Sequence, residues 1–127
     1  MAKSTYEVGQ RLVEFCQKNQ FVEAVNELYS TNIVSIEAHA SGAMPARIEG
    51  IEAVRRKSEW WMNAHEIHGG KVEGPWPHGD RFIVRFSFDV TPKEGPIQGQ
   101  RIQLEEAGLY TVKDGKIVQE EFFYHMG

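Results

Sequence analysis

Features that mark several large protein classes are missing from this sequence. Its 127 residues include a single cysteine, Cys16, so an internal disulfide and a cysteine-only zinc site are excluded. No stretch approaches the roughly 20 apolar residues of a membrane-spanning helix. Residues 1–11 also lack the apolar core of a signal peptide. We therefore expect a protein of the reducing cytoplasm, with no membrane partner.

An excess of positive charge is missing as well. Lysine and arginine number 14 against 18 aspartate and glutamate residues, which gives a formal net charge of −4. A nucleic-acid partner would require a basic surface. The basic cluster Arg55-Arg56-Lys57 is too short to supply one. No nucleic-acid partner is expected.

Motifs of cofactor and metal chemistry are absent too. There is no glycine-rich phosphate loop and no Gly-x-Ser-x-Gly motif. His65 and His68 flank Glu66 in a metal-like pattern, but no third ligand is spaced nearby and the segment lies where a helix ends. The sequence thus predicts neither a cofactor nor a metal site.

The composition that is present fits one globular domain over residues 1–127, since 41% of the residues are hydrophobic and 25% are charged. Apolar residues at helical spacing predict three helices. The first is opened by Ser4 and Glu7, the second runs from Phe21 to Tyr29, and the third from Ile51 to Ala64. Residues 32–40 are predicted as a short strand and residues 41–47 as a loop.

The second half of the chain has the period-two alternation of β-strands. It is clearest from Arg81 to Val90, and Arg101–Val112 and Lys116–Met126 follow as two further strands joined by a tight turn at Asp114-Gly115. The Gly- and Pro-rich residues 74–80 predict an interruption of the strand that begins at Lys71. Helices followed by a meander of strands predict an α+β fold.

Two glutamates lie on strand faces that are otherwise apolar. Glu106 has the parity of Ile102, Leu104, Tyr110 and Val112, and Glu120 has the parity of Val118, Phe122 and Tyr124. An unpaired carboxylate among apolar neighbours loses hydration, which raises its pKa towards neutrality, as a general acid or base requires. The alternative is that each glutamate pairs with an arginine or lies at a frayed edge.

The same faces and the third helix supply the expected lining of a pocket. The predicted lining residues are Trp60, Trp61, Phe82, Val84, Phe86, Phe88, Leu104, Glu120, Phe122 and Tyr124. Since Trp60 and Trp61 are adjacent on a helix, only one of them can face fully inward. Whether His39 or His125 reaches the pocket is left open.

The order of elements resembles that of a known superfamily. Gly50-Ile51 at the start of the third helix and Asp114-Gly115-Lys116-Ile117 in the last hairpin are similar to SnoaL-like, nuclear-transport-factor-2-like proteins, and the similarity covers nearly the whole chain. The resemblance implies a cone-shaped α+β barrel. Its N-terminal helices would pack on a strongly curved antiparallel or mixed sheet around an enclosed pocket, and its outer sheet face would form a homodimer.

The resemblance also implies roles for two carboxylates. Glu37 falls where ketosteroid isomerases hold the carboxylate that moves the proton, and Glu106 where they hold the protonated acid of the oxyanion hole. The helix-one tyrosine of those enzymes is matched near Leu12 or Val13, so this second oxyanion donor is missing here. Polyketide cyclases also use a pocket acid.

Two functions follow as hypotheses. The first is a cofactor-independent isomerase, cyclase or dehydratase acting on a hydrophobic carbonyl compound, with Glu37 as the base and Glu106 as the protonated hydrogen-bond donor. The second is a non-catalytic module that binds a small apolar ligand or forms a dimeric interaction domain. The superfamily contains both kinds, so the sequence leaves open whether the protein is an enzyme.

Overall fold

The computed structural model describes residues 2–41 and 44–125 and contains three helices and six strands. In chain order these are α1 (Thr5–Gln17), α2 (Phe21–Leu28), β1 (Tyr29–Ile36), β2 (Arg47–Glu49), α3 (Ile51–Ala64), β3 (His65–His78), β4 (Arg81–Pro92), β5 (Ile102–Lys113) and β6 (Lys116–Phe123). Within the described residues, no helix is both long and apolar enough to cross a membrane.

The six strands form one mixed sheet in the order β2-β1-β6-β5-β4-β3, and this sheet does not close. β1 runs parallel to β6, whereas the other neighbouring strands are antiparallel. The helices cover one face of the sheet, which gives a cone-like α+β barrel. The predicted α+β class and the antiparallel succession of β4, β5 and β6 are confirmed.

The core lies between the helices and the inner face of the sheet. Burial alternates along β4 as the sequence predicts, because Phe82, Val84, Phe86, Phe88 and Val90 are all at most 5% exposed. Buried side chains from the three helices pack against them. Each such side chain contributes roughly 1.5–3 kcal/mol by leaving water. This apolar layer fixes which side chains of every strand face inward.

Local sequence explains most element boundaries. Ser4 caps α1 through a reciprocal pair of hydrogen bonds with Glu7, as the sequence predicts. Asp114 and Gly115 have positive φ angles of 53° and 76°, the conformation that a two-residue β-hairpin turn requires. Strand β6 ends at Phe123, three residues before the predicted end at Met126, and Met126 lies outside the described residues.

One prediction about the strands is wrong. The predicted interruption at residues 74–80 is absent, since β3 continues to His78 through Pro75 and Pro77 with only a register shift between Glu73 and Trp76. β3 is an edge strand, where a missing N–H donor is tolerated. The predicted loop over residues 41–47 differs only at its last residue, because Arg47 begins the short strand β2, which was not predicted.

Candidate functional site

A group of polar side chains lies on the inner face of the sheet, among the apolar core. We call it the polar cluster, and its members are Tyr29, Ser35, Glu37, Lys57, Glu106, Glu120 and Tyr124. Strand pairing brings them together, because β1 lies beside β6 and β6 beside β5. Helix α3 adds Lys57 from above the sheet.

Glu120 is the most deeply buried acid of the polar cluster, with 4% of its surface exposed. Ser35 lies opposite it in the β1–β6 register and donates a hydrogen bond of 2.7 Å to its Oε2. The hydroxyl of Tyr29 donates to Oε1. Burial raises the pKa of Glu120, while Lys57 and the two hydroxyl donors oppose that rise. Both carboxylate oxygens are therefore engaged by the protein itself.

Lys57 connects the buried part of the polar cluster, at Ser35 and Glu120, to its partly exposed part, at Glu37. Its Nζ donates to Ser35 Oγ at 2.8 Å and to Glu37 Oε2 at 2.5 Å, and it lies 5.2 Å from the centre of the Phe122 ring. Only 15% of the Lys57 side chain and 22% of the Glu37 side chain are exposed. The ion pair is thus partly shielded from water, in a setting where electrostatic interactions are stronger than at the surface.

Glu37 lies directly after β1 and accepts two hydrogen bonds. Besides Lys57, the hydroxyl of Tyr124 donates to its Oε1 at 3.0 Å. Burial, together with the Glu37 carboxylate, raises the pKa of Tyr124 to about 12, so this phenol stays a donor at neutral pH. A carboxylate has about four acceptor positions, and Glu37 therefore retains some for another proton.

Glu106 differs from the other two acids of the polar cluster. Within the described part of the chain its carboxyl group has no hydrogen-bond partner. Burial, followed by repulsion from the Glu37 carboxylate, raises the pKa of Glu106 to about 7; Lys57 opposes the rise and Glu120 adds to it. Glu106 faces Phe86 in the β4–β5 register, so apolar surface lies on that side. Glu106 is thus a carboxyl group without a protein partner whose pKa lies near neutral pH.

The predicted pocket-lining residues fall into three groups. Phe86, Phe88, Leu104, Phe122 and Tyr124 lie on the inner face, and so does Trp61, which packs against Phe88 with 5.2 Å between ring centres. Phe82 and Val84 lie deeper, where Phe82 stacks on Tyr110. Trp60 points away from the inner face, since it is exposed and its indole N–H donates to Glu94.

The histidines lie at the edge of the cluster or outside it. The His39 ring is 5.9 Å from the Tyr124 ring, and His39 and His125 are both exposed. His65 stacks on Trp61, and His68 binds Thr91 at the surface. Over residues 2–41 and 44–125, no group of three or more histidine, cysteine or acidic side chains is arranged to hold a metal ion.

Two surface clefts of about 290 and 300 Å³ lie away from the polar cluster. One is between α2 and α3 and is lined by Phe21, Glu59 and Met62 among others. The other lies beside the last hairpin, near Lys3 and Asp114. Neither includes any of the three inner glutamates. Neither cleft corresponds to the enclosed pocket that the sequence predicts around Glu37 and Glu106, and that pocket stays a prediction.

Three members of the polar cluster are absent from the predicted site: Tyr29, Ser35 and Lys57. The strand parity that contains Ile33 and Glu37 also contains Tyr29 and Ser35, so the period-two pattern was sufficient to find them. Lys57 follows Val54 by three positions and precedes Trp61 by four, which places it on the inward helix face. Because Lys57 belongs to the basic run Arg55-Arg56-Lys57, the sequence favours its interpretation as a solvent-exposed charge, although its helical position indicates an inward side chain.

Comparison with known families gives a clear result. A model of the SnoaL-like domain matches residues 3–124. The chain belongs to the SnoaL-like family. A crystal structure of a candidate SnoaL-like polyketide cyclase [carbohydrate phosphatase] from Mesorhizobium loti is similar to the chain over 96% of its length and all of that protein's, with 42% sequence identity and a TM-score of 0.87. None of the curated proteins compared with the chain matches it.

More distant solved structures show the same fold. A candidate isomerase from Bacillus subtilis is 16% identical, with a TM-score of 0.75 over 97% of this SnoaL-like chain and 90% of that one. A protein of unknown function with a cystatin-like fold from Xanthomonas campestris is 14% identical, with a TM-score of 0.77 over 98% and 92%. At these identities the likeness concerns the fold alone.

Proposed function

We propose that this SnoaL-like protein is a cofactor-independent enzyme that moves a proton on a small hydrophobic carbonyl compound, as an isomerase, cyclase or dehydratase does. Glu37 accepts a proton from the carbon next to the carbonyl group. Glu106, in its protonated form, donates a hydrogen bond to the carbonyl oxygen as negative charge develops there. The proton then returns at another carbon, or the enolate forms a new bond or expels a leaving group.

The observation that carries this proposal is the contrast between the two acids. The Glu37 carboxylate is paired with Lys57 and Tyr124, whereas Glu106 has a free carboxyl group whose pKa is about 7. An acid and a base close to each other are what enolisation needs, and a pKa near neutrality lets Glu106 keep its proton and donate it in a hydrogen bond to the oxyanion. If Glu106 served only the fold, its carboxyl group would have partners in the protein, as that of Glu120 does.

The surroundings support an apolar substrate. Buried Phe86 lies opposite Glu106, buried Phe88 follows it on the same strand face, and Trp61 and Phe122 are partly buried against the same core. Such walls exclude water from one side of the site, which strengthens a hydrogen bond to a developing oxyanion. The names of relatives fit this class as well, since they include polyketide cyclases and an isomerase.

Hydrogen–deuterium exchange on a model ketone tests the proposal without knowledge of the natural substrate. We expect the protein to accelerate exchange of the α-protons of 2-tetralone in D₂O, followed by proton NMR. Glu37→Gln should abolish the acceleration because the base is lost. Glu106→Gln should retain part of it, because an amide still donates a hydrogen bond. The acceleration should fall as pH rises through about 7, since Glu106 then loses its proton.

Glu105→Gln is the matched control, because Glu105 neighbours Glu106 on β5 but pairs with Arg85 on the outer face. Glu105→Gln should accelerate the exchange of 2-tetralone protons as much as the unmodified protein does. Equal rates in the unmodified protein and in Glu37→Gln would contradict the proposal. Binding of 2-tetralone without exchange would favour the non-catalytic binding module instead.

We also propose that a second copy of the chain packs on the outer face of the sheet. Trp76, Ile83 and Leu109 are neighbours across β3, β4 and β5 on that face, and Trp76 and Ile83 are exposed. Exposed Phe123 pairs with Ala107 nearby. A contiguous apolar patch of this kind, bordered by the Arg85–Glu105 ion pair, is typical of an interface.

A further inference from the structure

Three inner acids and one lysine share the polar cluster, so their charges cannot be independent. Two carboxylates close to each other repel when both are ionised, and without a further influence they would compete for one proton. A cation placed nearer to one of them decides which acid keeps the charge. Lys57 is the cation that the fold supplies, and it contacts Glu37 rather than Glu106.

The position of Lys57 is fixed from its buried side. A serine hydroxyl has one hydrogen; Ser35 accepts from Lys57 at 2.8 Å and therefore has that hydrogen available for Glu120 at 2.7 Å. Tyr29 occupies the other oxygen of Glu120. A buried carboxylate needs a counter-charge, and Lys57 supplies it through Ser35. The chain Lys57–Ser35–Glu120–Tyr29 thus holds the ammonium group close to Glu37.

We propose that Lys57 is a positioning residue that keeps the negative charge on Glu37 and leaves the proton on Glu106, and that Ser35 and Glu120 hold it in the place where it does so. The significance of this division for catalysis rests on the proposed function, because it makes one acid the base and the other the donor. The division itself is a property of the free protein and is measurable without a substrate.

Other titratable groups face the cluster from each element packed against it. They are Tyr29 from β1, Cys16 from α1, Tyr110 from β5 and Tyr124, which directly follows β6. Burial and the nearby carboxylates raise the pKa of every one of them, so they stay neutral while Glu106 titrates. The proton exchanged near pH 7 therefore belongs to the carboxyl groups.

The test is a carbon-13 NMR titration of the glutamate carboxyl groups in the full chain, without ligand. In the unmodified protein the Glu106 signal should titrate near pH 7. In Lys57→Met the Glu106 and Glu37 signals should move together, because the two acids then share one proton. The Glu106 midpoint should also rise by about one pH unit or more, because Lys57 lowers the pKa of Glu106 in the unmodified protein. Ser35→Ala should act in the same direction, but less.

Arg56→Met is the matched control, because it removes a positive charge from the adjacent, exposed position of the same helix. It should leave both curves unchanged, and Lys57→Arg should keep the charge on Glu37. If Lys57→Met does not fold, Ser35→Ala and Lys57→Gln decide the question by the same signals. Curves in the Lys57 and Ser35 variants that coincide with those of Arg56→Met would overturn the proposal.

The titration tests the role of Lys57 and the exchange assay tests the proposed function, so a negative result in one does not decide the other. The expected titration together with no exchange of 2-tetralone protons would remove the proposed function and leave the role of Lys57 intact. Exchange that depends on Glu37, together with unchanged titration in Lys57→Met, would remove the role of Lys57 and leave the proposed function intact.

Discussion

Glu105 and Glu106 are neighbours in the sequence and lie on opposite faces of β5. On the outer face, Glu105 pairs with Arg85 at 2.8 Å and accepts from Ser87, and these bonds lower its pKa. On the inner face, burial raises the pKa of Glu106 to about 7. The two side chains have the same chemistry, so the difference comes from the sheet. A strand can thus supply an ordinary ionised acid and a nearly neutral one from adjacent positions.

The two faces also differ in how their charges are balanced. Outer charges pair locally with the neighbouring strand, as Asp89 does with Arg101, and water screens them. Inner charges rely on a connected set of partners from β1, α3 and β6. Loss of one inner partner leaves a buried polar group unsatisfied, which is far more costly than the loss of a surface ion pair.

The largest expected difference between the faces concerns packing. Phe86→Ala should lower the free energy of unfolding by about 3–5 kcal/mol, because a buried aromatic ring leaves a cavity. Asp89→Ala, on the outer parity of the same strand, should cost far less. Urea denaturation monitored by circular dichroism measures both. Similar losses for the two variants would mean that the face assignment of β4 is wrong.

A smaller difference should appear in the pH dependence of stability. The folded state keeps the Glu106 proton up to about pH 7, while the unfolded chain releases it near pH 4.5. Glu106 therefore lowers stability as pH rises through this range, and its effect is constant above it. Glutamine does not titrate, so Glu106→Gln escapes this loss. As pH rises from 4.5 to about 7, the unfolding free energy of Glu106→Gln should increase by roughly 2–4 kcal/mol relative to that of the unmodified protein.

Urea denaturation at several pH values checks this prediction, with Glu105→Gln as the control. Glu105 has a lowered pKa, so it stabilises the fold above the ordinary glutamate range and loses that effect as pH falls. Its removal should change the pH dependence slightly and in the opposite sense. A Glu106→Gln variant whose stability runs parallel to that of the unmodified protein would show that Glu106 is not desolvated.

The smallest effect on stability is expected at the proposed dimer surface. Ile83→Lys should change the unfolding free energy by no more than about 0.5 kcal/mol at concentrations where the protein is monomeric, since the side chain is already exposed. It should nevertheless weaken self-association, because a charge replaces an apolar contact. Light scattering at micromolar concentration measures this. A monomeric unmodified protein would contradict the dimer proposal.

Strong periodicity made much of the fold predictable. The alternation from Arg81 to Val90 gave β4 and its inner face, and the turn at Asp114-Gly115 gave the last hairpin. Local sequence signals did not predict strand boundaries that depend on where the segment lies in the folded sheet. Pro75 and Pro77 indicate a break in an isolated segment, but they are tolerated in β3 because it lies at the sheet edge. β2 has only three residues and carries too little pattern.

The acids of the candidate site were predictable, but their partners were less so. Parity identified Glu106 and Glu120 because a charge among apolar neighbours is conspicuous. The face assignment of β6 needed the structure: buried Ile117 and buried Glu120 differ in parity, because the β5–β6 register shifts at Thr111 and Val112. Which acid Lys57 contacts depends on how α3 lies over the sheet, and no local pattern contains that information.

The parallel pairing of β1 with β6 has a consequence for the order of folding. Contacts that complete the site join Tyr29 to Glu120 and Glu37 to Tyr124, which are 91 and 87 positions apart. Such distant contacts close late, because the chain must first lose the entropy of a large loop. A partly folded chain with β4 and β5 in place but β6 undocked would leave its glutamates in water. We therefore expect the pKa of Glu106 to rise only when the first and last strands have met, so that it can be used to follow completion of the fold.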